Sequence, residues 1–468
     1  MSEPAAVQEP KRWRHALSVL ACAVFAALLC APPFLADIPS HSYHVDEDVW
    51  IYGAYYHRLF FKEKNFESKD WSHINNKFNG PMAKYVLAVG FDVSGIEFQP
   101  TMKDIDGWWP ANEHLPEKSP RLHPQILHAG RRTCALLGLC SAVLLFFIAY
   151  AASGRLAAIF AALFFSYNIL VLSTCRHSMA DAPLLFFATA AVFVMVLLVG
   201  ALRDPWKYKF ALPPLVVLEA FLIGSAVGTK FNGALVSFAF VITITITALA
   251  FAIHRRPGAD SGELRRWWKR LLGAFAILLM GVGVGVASFA VFTYFNPYLH
   301  TDPIGRTREM YEVTTKHLAE TISKFPEDAL STFSAKAGYV WMEIGQGREI
   351  FLPKAVSSWV NGAIMVLGVL VLTGKTVWTL VRGRPGGELV AWTWLLVAAA
   401  GVVFWIPVDW DRYLTPLLPA ASVAAGVGFG EALLFCGRLV RGRTPAPSIG
   451  AESSVSTPPP ASAVESRA

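Results

Sequence analysis

Charged side chains in this sequence gather beside and between its hydrophobic segments. An acidic cluster, Asp46-Glu47-Asp48, directly follows the first hydrophobic segment. Such charges are costly near a membrane unless they are hydrated, paired or used in function. Carboxylates suit acid–base chemistry and cations suit an anionic group, so the pattern predicts a site at the bilayer surface for a phosphate carried on a lipid. The basic candidates are Lys84, Arg131, Arg132, Arg176 and Lys230.

These candidates also have a structural interpretation. The acidic cluster could be a solvated stretch of loop. Arg131, Arg132 and Lys230 stand near helix ends and could anchor their helices to lipid head groups, because their long stems let the charge reach the interface. The residue types alone do not choose between Arg131 and Arg132.

Two further polar pairs belong to the same group of candidates. Asp181 lies in the short connection that also carries Arg176. The two side chains could form an ion pair that ties two helices together, or could both serve the site. Arg412 and Tyr413 precede the last hydrophobic segment and could cap its helix at the interface.

Metal binding is a weaker alternative. Two Asp-x-Asp tripeptides, at 46–48 and 409–411, offer carboxylates, but a hard cation needs several more oxygen ligands. Three histidines near the acidic cluster, His41, His44 and His57, lack a diagnostic zinc spacing. We therefore expect no certain cofactor and keep a divalent metal ion as an open alternative.

The composition defines the elements that must position these residues. Of 468 residues, 54% are hydrophobic and 16% are charged, against roughly 25% charged residues in an ordinary soluble domain. The mean hydropathy is +0.43. A single soluble core cannot bury so much apolar surface, and a disordered chain has the opposite balance. The sequence therefore predicts an all-α polytopic membrane protein.

Ten segments are long and apolar enough, or nearly so, to span a bilayer as helices. They are 16–36, 128–152, 155–173, 180–202, 211–229, 232–254, 271–295, 356–380, 388–407 and 413–436. With the N-terminus in the cytoplasm, every alternate short connection is rich in Lys and Arg, as the positive-inside rule requires. The first segment could instead be a secretory signal, which would leave the later topology unchanged.

The same topology divides the chain into three parts. Residues 1–15 form a cytoplasmic segment, 16–436 the membrane domain, and 437–468, rich in Pro, Ser and Ala, a disordered cytoplasmic tail. Two long loops, about 37–127 and 296–355, lie on the outer side and are expected to carry surface helices. Within the first loop, 49–61 and 82–93 mix apolar and polar residues and are predicted to form helices on the membrane surface.

Six short motifs follow one another along the chain. They are Asp46-Glu47, Gly80-Pro81-Met82-Ala83-Lys84, an Arg at 131 or 132, Arg176 through Asp181, Gly224 through Lys230, and Arg412-Tyr413 with Pro416 and Pro419. In order, spacing and membrane side this set resembles the protein O-mannosyltransferase-like family of the GT-C superfamily. The resemblance covers about 16–436. It departs from the family at Gly80-Pro81, where a paired proline is usual, and about 97–124 match nothing, which leaves the acceptor site open.

The resemblance implies a GT-C-like bundle and an inverting transfer of a sugar from a polyprenyl or dolichyl phosphate to an acceptor hydroxyl. It implies Asp46 as the base, with Glu47 orienting Asp46 or the acceptor or binding a metal. The implied clamps for the donor phosphate are Lys84, Arg131, Arg132, Arg176 and Lys230. The implied supporting residues are Asp181, Arg412 and Tyr413.

The expected partners follow from that chemistry. They are the lipid-linked sugar donor, a protein or glycolipid acceptor and membrane lipids, with no nucleic acid. The acceptor on a protein would be a Ser or Thr hydroxyl, and a glycolipid or polysaccharide is the alternative within the same class of enzyme. We expect a bacterial inner membrane, with the site facing the periplasm.

Two other functions compete with glycosyl transfer. A transporter or flippase of lipid-linked sugars typically has repeats, broken helices and polar residues at the midplane. Here the centres of the predicted helices are almost free of charge and the polar residues lie on one side, which favours chemistry at the interface. An inactive binding subunit is the third hypothesis, and the intact Asp-Glu pair weighs against it.

Overall fold

A computed structural model describes residues 9–44, 46–108, 122–254, 263–345 and 354–442. Over these ranges the regular structure is helical, apart from one isolated bridge between Ala329 and Val408. Helix α1 (Glu9–Leu35) is followed in the first long loop by α2 (Glu47–Tyr52), α3 (Ala54–His57), α4 (Ile74–Phe78), α5 (Met82–Val93) and α6 (Met102–Trp108).

Seven helices follow before the second long loop. They are α7 (Pro124–Ser153), α8 (Arg155–Ser166), α9 (Ile169–Arg176), α10 (Asp181–Leu202), α11 (Leu212–Thr229), α12 (Ala234–Ile253) and α13 (Glu263–Tyr294). The second loop contains α14 (Pro303–Lys324) and α15 (Phe333–Val340), and then come α16 (Lys354–Val381), α17 (Gly387–Trp405) and α18 (Leu418–Gly442).

In the described part of the chain, nine helices are long and apolar enough to cross a membrane, and α8 with α9 makes a tenth crossing if the pair is counted as one bent span. The bend is 60°. It occurs at Asn168, whose side-chain oxygen accepts hydrogen bonds from the backbone N–H groups of Leu170 and Val171 and so begins α9 as an N-cap. The predicted all-α bundle of about ten spans is confirmed, but the segment 155–173 is two helices rather than one straight span.

Both long loops emerge at the same end of the bundle when α8 and α9 are taken as one crossing. We call this the loop end. An ion pair between Lys77 and Glu309, with 2.7 Å between Nζ and Oε1, joins the two loops there. At the opposite end, Lys375 of α16 pairs with Glu431 of α18 at 2.6 Å. These contacts agree with the alternating order of the spans.

Small residues let several spanning helices pack backbone against backbone. A Cβ atom added to Gly368 of α16 would lie 1.8 Å from the carbonyl oxygen of Ala424 on α18. A Cβ atom on Gly426 would lie 2.6 Å from the carbonyl oxygen of Ala157 on α8. Such close approach is the usual route to helix association in lipid. It makes α8, α16 and α18 a firm support for the loop end.

The two segments expected on the membrane surface are helical and also pack against the bundle. Residues 49–61 lie in α2, α3 and the turn of π-helix that follows, and most of their large side chains are buried, among them Trp50, Ile51 and Tyr56. Helix α5 packs on α7 and α11 and buries Lys84 and Leu87. The predicted helices of the first loop are confirmed. Many of their apolar side chains pack against protein, whereas Phe61, Val89 and Val93 are 44%, 49% and 83% exposed.

The predicted domain limits fall inside helices. Helix α1 begins at Glu9, before the expected boundary at residue 15, and α18 continues to Gly442, past residue 436. The expected disordered tail beyond Gly442 lies outside the described residues, as does 109–121 of the unmatched stretch 97–124.

Candidate active site at the loop end

A fully buried ion pair lies at the centre of the loop end. Glu47, the first residue of α2, is 0% exposed, and Arg131, in the second turn of α7, is 1% exposed. The guanidinium donates to both carboxylate oxygens of Glu47, from Nε at 2.9 Å and from Nη2 at 2.7 Å. Two parallel charge-assisted hydrogen bonds of this kind fix the geometry of both side chains.

The other hydrogen-bonding groups of Arg131 and Glu47 are also occupied. Arg131 donates to the backbone carbonyls of Ile38, His41 and Ser42 at 3.3, 2.8 and 3.1 Å. Glu47 Oε1 accepts from the N–H of Ser178 at 2.9 Å. Burial by itself would raise the pKa of Glu47, but the hydrogen bonds from Arg131 and the Ser178 N–H outweigh it and hold that pKa below its usual 4.5.

The pair therefore has a structural role inside the protein and is not an open binding site. Arg131 has no donor left over for a phosphate in this arrangement, and Glu47 has no oxygen turned to solvent. Together they hold the chain from Ile38 to Ser42 in place, directly before Asp46.

Asp46 is placed very differently although it adjoins Glu47 in the chain. Its Oδ2 accepts a hydrogen bond at 2.9 Å from Nη1 of Arg412, and the two side chains are 27% and 35% exposed. The guanidinium of Arg412 also lies 4.8 Å from the ring centre of Trp410. Asp46 is therefore an accessible carboxylate with one cation beside it, as a base for an incoming hydroxyl requires.

A second pair, which solvent reaches through its lysine, lies next to the first. Nζ of Lys230, which follows α11, donates at 2.7 Å to Oδ1 of Asp181, the first residue of α10. The lysine is 21% exposed and the aspartate 3%. Tyr413 lies between the two pairs: burial raises the pKa of its phenol, Arg412 opposes that shift, and Asp46 and Asp181 add to it. The expected ion pair of Asp181 thus forms with Lys230, while Arg176 turns elsewhere.

Lys84 lies outside this accessible group. It is 0% exposed, and its Nζ donates to the backbone carbonyls of Asn75 and Asn79 at 3.0 and 3.3 Å. The rings of Tyr56 and Trp50 lie 4.8 and 5.8 Å from the nitrogen. Burial lowers the pKa of Lys84 well below 10.5. In this arrangement Lys84 holds the first loop together and does not reach a phosphate.

Two other predicted cations, Arg176 and Arg132, also lie outside the accessible group. Arg176 is half-buried and donates from Nε at 3.0 Å, and from Nη2, to the carbonyl oxygen of Pro33 at the end of α1. Arg132 is exposed on α7. Of the five predicted phosphate clamps, only Lys230 lies in the accessible group with Asp46, and Arg412, predicted as a supporting residue, joins it.

Two histidines of the site could not be identified from the sequence pattern alone. The ring of His177 contacts the backbone carbonyls of Ser173 at 2.6 Å and Ser42 at 3.1 Å. It so links α9 to the segment from Ile38 to Ser42 that Arg131 holds in place. His317 of α14 approaches the Asp46–Arg412 pair from the second loop. Burial holds the pKa of His317 below 6.5, and neighbouring charges, Arg412 and Asp46 among them, modify it.

Groups that could hold a metal ion are lacking in the part of the chain that the structure describes: no three His, Cys, Asp or Glu side chains come together suitably there. A divalent metal ion stays the open alternative that the sequence left.

An apolar cleft lies beside the accessible pairs. It is narrow, with about 20 Å³ of free space between α10, α12, α17 and the start of α18. Leu184 and Leu185 stand one turn along α10 from Asp181, and Asn232 stands two residues after Lys230. Trp394 and Pro416 close the other side. The arrangement places a group of apolar side chains close to Asp181 and Lys230.

These features define a class: a polytopic helical membrane protein with paired acids and bases, and an apolar cleft beside them, at one end of the bundle. Residues 50–296, more than half of the chain, match the family model of dolichyl-phosphate-mannose-protein mannosyltransferases, and the chain belongs to this family. The family predicted from the motifs is therefore confirmed. The match includes Arg131, Asp181 and Lys230 but not Asp46 or Arg412. No curated protein matches the chain.

Several solved structures are similar in outline. The oligosaccharyltransferase AglB from Archaeoglobus fulgidus, in complex with an inhibitory peptide and a dolichol-phosphate, is 13% identical over 95% of this chain and 53% of its own, with a TM-score of 0.49. ArnT from Cupriavidus metallidurans is 17% identical over 92% of this chain and 64% of its own, with a TM-score of 0.44. The Pmt1–Pmt2 complex of S. cerevisiae, bound to the sugar donor, is 17% identical over 59% of this chain and 33% of its own, with a TM-score of 0.40. This chain spans about half the length of the archaeal enzyme.

Proposed function

We propose that the protein is an inverting glycosyltransferase that moves a sugar, mannose by its family, from a polyprenyl-phosphate donor to an acceptor hydroxyl. The observation that carries the proposal is the accessible Asp46–Arg412 pair beside the Lys230–Asp181 pair at the loop end. A carboxylate and two cations in one water-accessible place are the groups that such a transfer needs.

The reaction assigns a role to each group. Asp46 takes the proton of the acceptor hydroxyl while the acceptor oxygen bonds to the anomeric carbon of the sugar. The bond between that carbon and the phosphate oxygen breaks, and the lipid phosphate leaves with the electron pair. Arg412 and Lys230 stabilise the charge that grows on the phosphate, because cations already in place need little reorganisation.

Both cations are paired with carboxylates in this structure, and this pairing has a consequence for donor binding. The phosphate must compete with Asp46 for Arg412 and with Asp181 for Lys230. Displacement of Arg412 from Asp46 would leave that carboxylate free to act as a base. The apolar side chains beside Lys230, Leu184 and Leu185 among them, would contact the first part of the polyprenyl chain.

The acceptor and the orientation complete the proposal. The family points to a Ser or Thr hydroxyl of a protein, with a glycolipid as the alternative. Among the short connections, those at the end opposite the loop end carry most of the Lys and Arg residues, which favours a cytoplasmic position for that end. The loop end then faces the periplasm of a bacterial inner membrane.

A transfer assay with purified protein tests the proposal. It would use polyprenyl-phosphate-linked radiolabelled mannose, with a Ser/Thr-containing peptide and a glycolipid as parallel acceptors. Wild type is expected to label one acceptor, and Asp46→Asn is expected to lower turnover by at least about 10²-fold, since a positioned base contributes about 10²–10⁴-fold. Asp92→Asn, a change of the same type at an exposed ion pair of the same loop, is the matched control and should keep wild-type activity.

The outcomes separate the hypotheses. Unchanged transfer by Asp46→Asn would remove Asp46 as the base. Absence of transfer by wild type to either acceptor from any lipid-linked sugar in a donor panel would favour the transporter or the inactive subunit over the enzyme.

A further inference from the structure

Helix α14 of the second loop has one face buried against the first loop. Met310 and Thr321 on this face are 1% and 6% exposed. Thr314 Oγ1 donates to the carbonyl oxygen of Phe78 at 3.5 Å, and the ring centre of His317 lies 4.5 Å from that of Phe78. This contact fixes the rotation of the helix about its own axis and therefore determines where its other faces point.

A second face of α14 carries three exposed large apolar side chains, with the exposed Thr315 and Arg308 beside them. Ile304, Tyr311 and Ile322 are 78%, 43% and 40% exposed. At about 3.6 residues per turn, the spacings between these residues are close to two and three full turns, so the three side chains lie on one line along the helix. We call these residues the α14 stripe. Single exposed apolar side chains are common, but their alignment along one line of an amphipathic helix indicates a common contact surface.

The third face is charged. Glu312, Lys316 and Glu320 are exposed and lie roughly a quarter to half a turn around the helix from the α14 stripe. A helix with separate apolar and charged faces and a low overall hydrophobicity is typical of segments that lie in a membrane interface.

The α14 stripe adjoins exposed aromatic side chains at the end of a spanning helix. The ring of Tyr311 meets the ring of Trp405 edge to face, with 5.9 Å between their centres. Trp405 and Phe404 end the spanning helix α17 and are 52% and 70% exposed. Aromatic residues at the ends of spans lie at the level of the lipid head groups. The α14 stripe thus continues the lipid-facing surface of a spanning helix.

We propose that α14 lies along the bilayer surface at the loop end, with the α14 stripe inserted at the boundary between lipid head groups and acyl chains. The charged face then meets water and the buried face packs on the first loop. The partner is the lipid bilayer itself, and the inference depends on the spans of the fold and not on the proposed reaction.

Photo-crosslinking in the full-length protein tests this assignment. p-Benzoylphenylalanine would replace Ile304, Tyr311 or Ile322 singly, and the matched controls would carry it in place of Glu312 or Lys316 on the charged face of the same helix. Each protein would be reconstituted into vesicles of phosphatidylcholine and phosphatidylglycerol, irradiated and examined by mass spectrometry. Lipid adducts are expected to be at least several-fold more abundant at the α14 stripe than at the controls.

Two results would overturn the assignment. Equal lipid adducts on the two faces would show that the α14 stripe has no preferred contact with the bilayer. A crosslinked dimer on a denaturing gel, formed from the stripe positions alone, would show that a second copy of the chain covers them. If one variant fails to fold, as judged by gel filtration, the other two stripe positions decide the result.

Discussion

Asp46 and Glu47 are adjacent carboxylates, and the structure predicts that their amide variants fail in opposite ways. Glu47→Gln leaves the guanidinium of Arg131 buried without a counter-charge, and breaking a buried pair from one side costs about 3–5 kcal/mol of stability. Asp46→Asn opens a pair whose members are 27% and 35% exposed, and pairs of that kind contribute about 0–1 kcal/mol. The first variant should lose stability, and the second should lose activity while it remains folded.

Thermal unfolding of the detergent-purified proteins, followed by intrinsic fluorescence, measures the first quantity, and the transfer assay measures the second. A double variant, Glu47→Leu with Arg131→Met, removes both charges and should recover part of the loss, because no uncompensated charge stays buried. Recovery should be incomplete, since the carbonyls of Ile38, His41 and Ser42 lose their donor.

The dependence on pH gives a further check on the same pair. The pKa of Glu47 is lower in the folded protein than its usual 4.5, so the unfolded chain binds the proton first as the pH falls. The stability from this ionised carboxylate is complete above about pH 4.5 and is lost as the pH drops through the folded pKa. The difference in Tm between wild type and Glu47→Gln should therefore be constant from pH 5 to 8 and shrink in acid. Equal Tm values for wild type and Glu47→Gln at neutral pH would contradict the stabilising role of the buried pair. An equal loss of stability in Asp46→Asn would contradict the difference between the two carboxylates.

Two lysines provide the remaining predictions. Lys230→Met should lower turnover by roughly 10²-fold in the transfer assay, because it removes one preplaced donor to the developing anion. The control Lys375→Met, at the opposite end, should keep normal turnover. A normal rate for Lys230→Met would exclude Lys230 as a phosphate clamp. The pKa of Lys84 lies well below 10.5, so the unfolded chain holds more protons and stability should rise as the pH climbs toward 10.5. Thermal unfolding of Lys84→Met should be flat over that range, and an equal rise in both proteins would contradict the assignment.

The convergence of the site could be predicted from the sequence because alternation along a membrane bundle sends every second connection to the same side. This prediction needs only the number of spans and the distribution of Lys and Arg. It correctly gathers Asp46, Asp181, Lys230 and Arg412 at one end, although they are scattered over most of the chain.

The pairing within that group could not be predicted. Asp46 and Glu47 differ in the direction their side chains take at the start of α2, and this direction is set by Arg131 on another helix. Lys84 stands in a family-like motif, but its burial results from the packing of several aromatic rings around it. Helix α14 is polar enough to escape a search for spans, and its apolar line becomes visible only when the buried face is known.

The order in which the chain is made bears on the two ion pairs. Glu47 and Arg131 are 84 residues apart, whereas Asp46 and Arg412 are 366 residues apart. At about 5–20 residues per second, ribosomal synthesis delivers Arg412 roughly 20–70 seconds after Asp46. During that delay the nascent protein can already anchor the neighbourhood of Asp46 through Arg131, yet it lacks the cation that completes the constellation. Under the proposed mechanism, a chain that ends before Arg412 would still form the Glu47–Arg131 pair. It would lack the Asp46–Arg412 pair and would therefore be inactive.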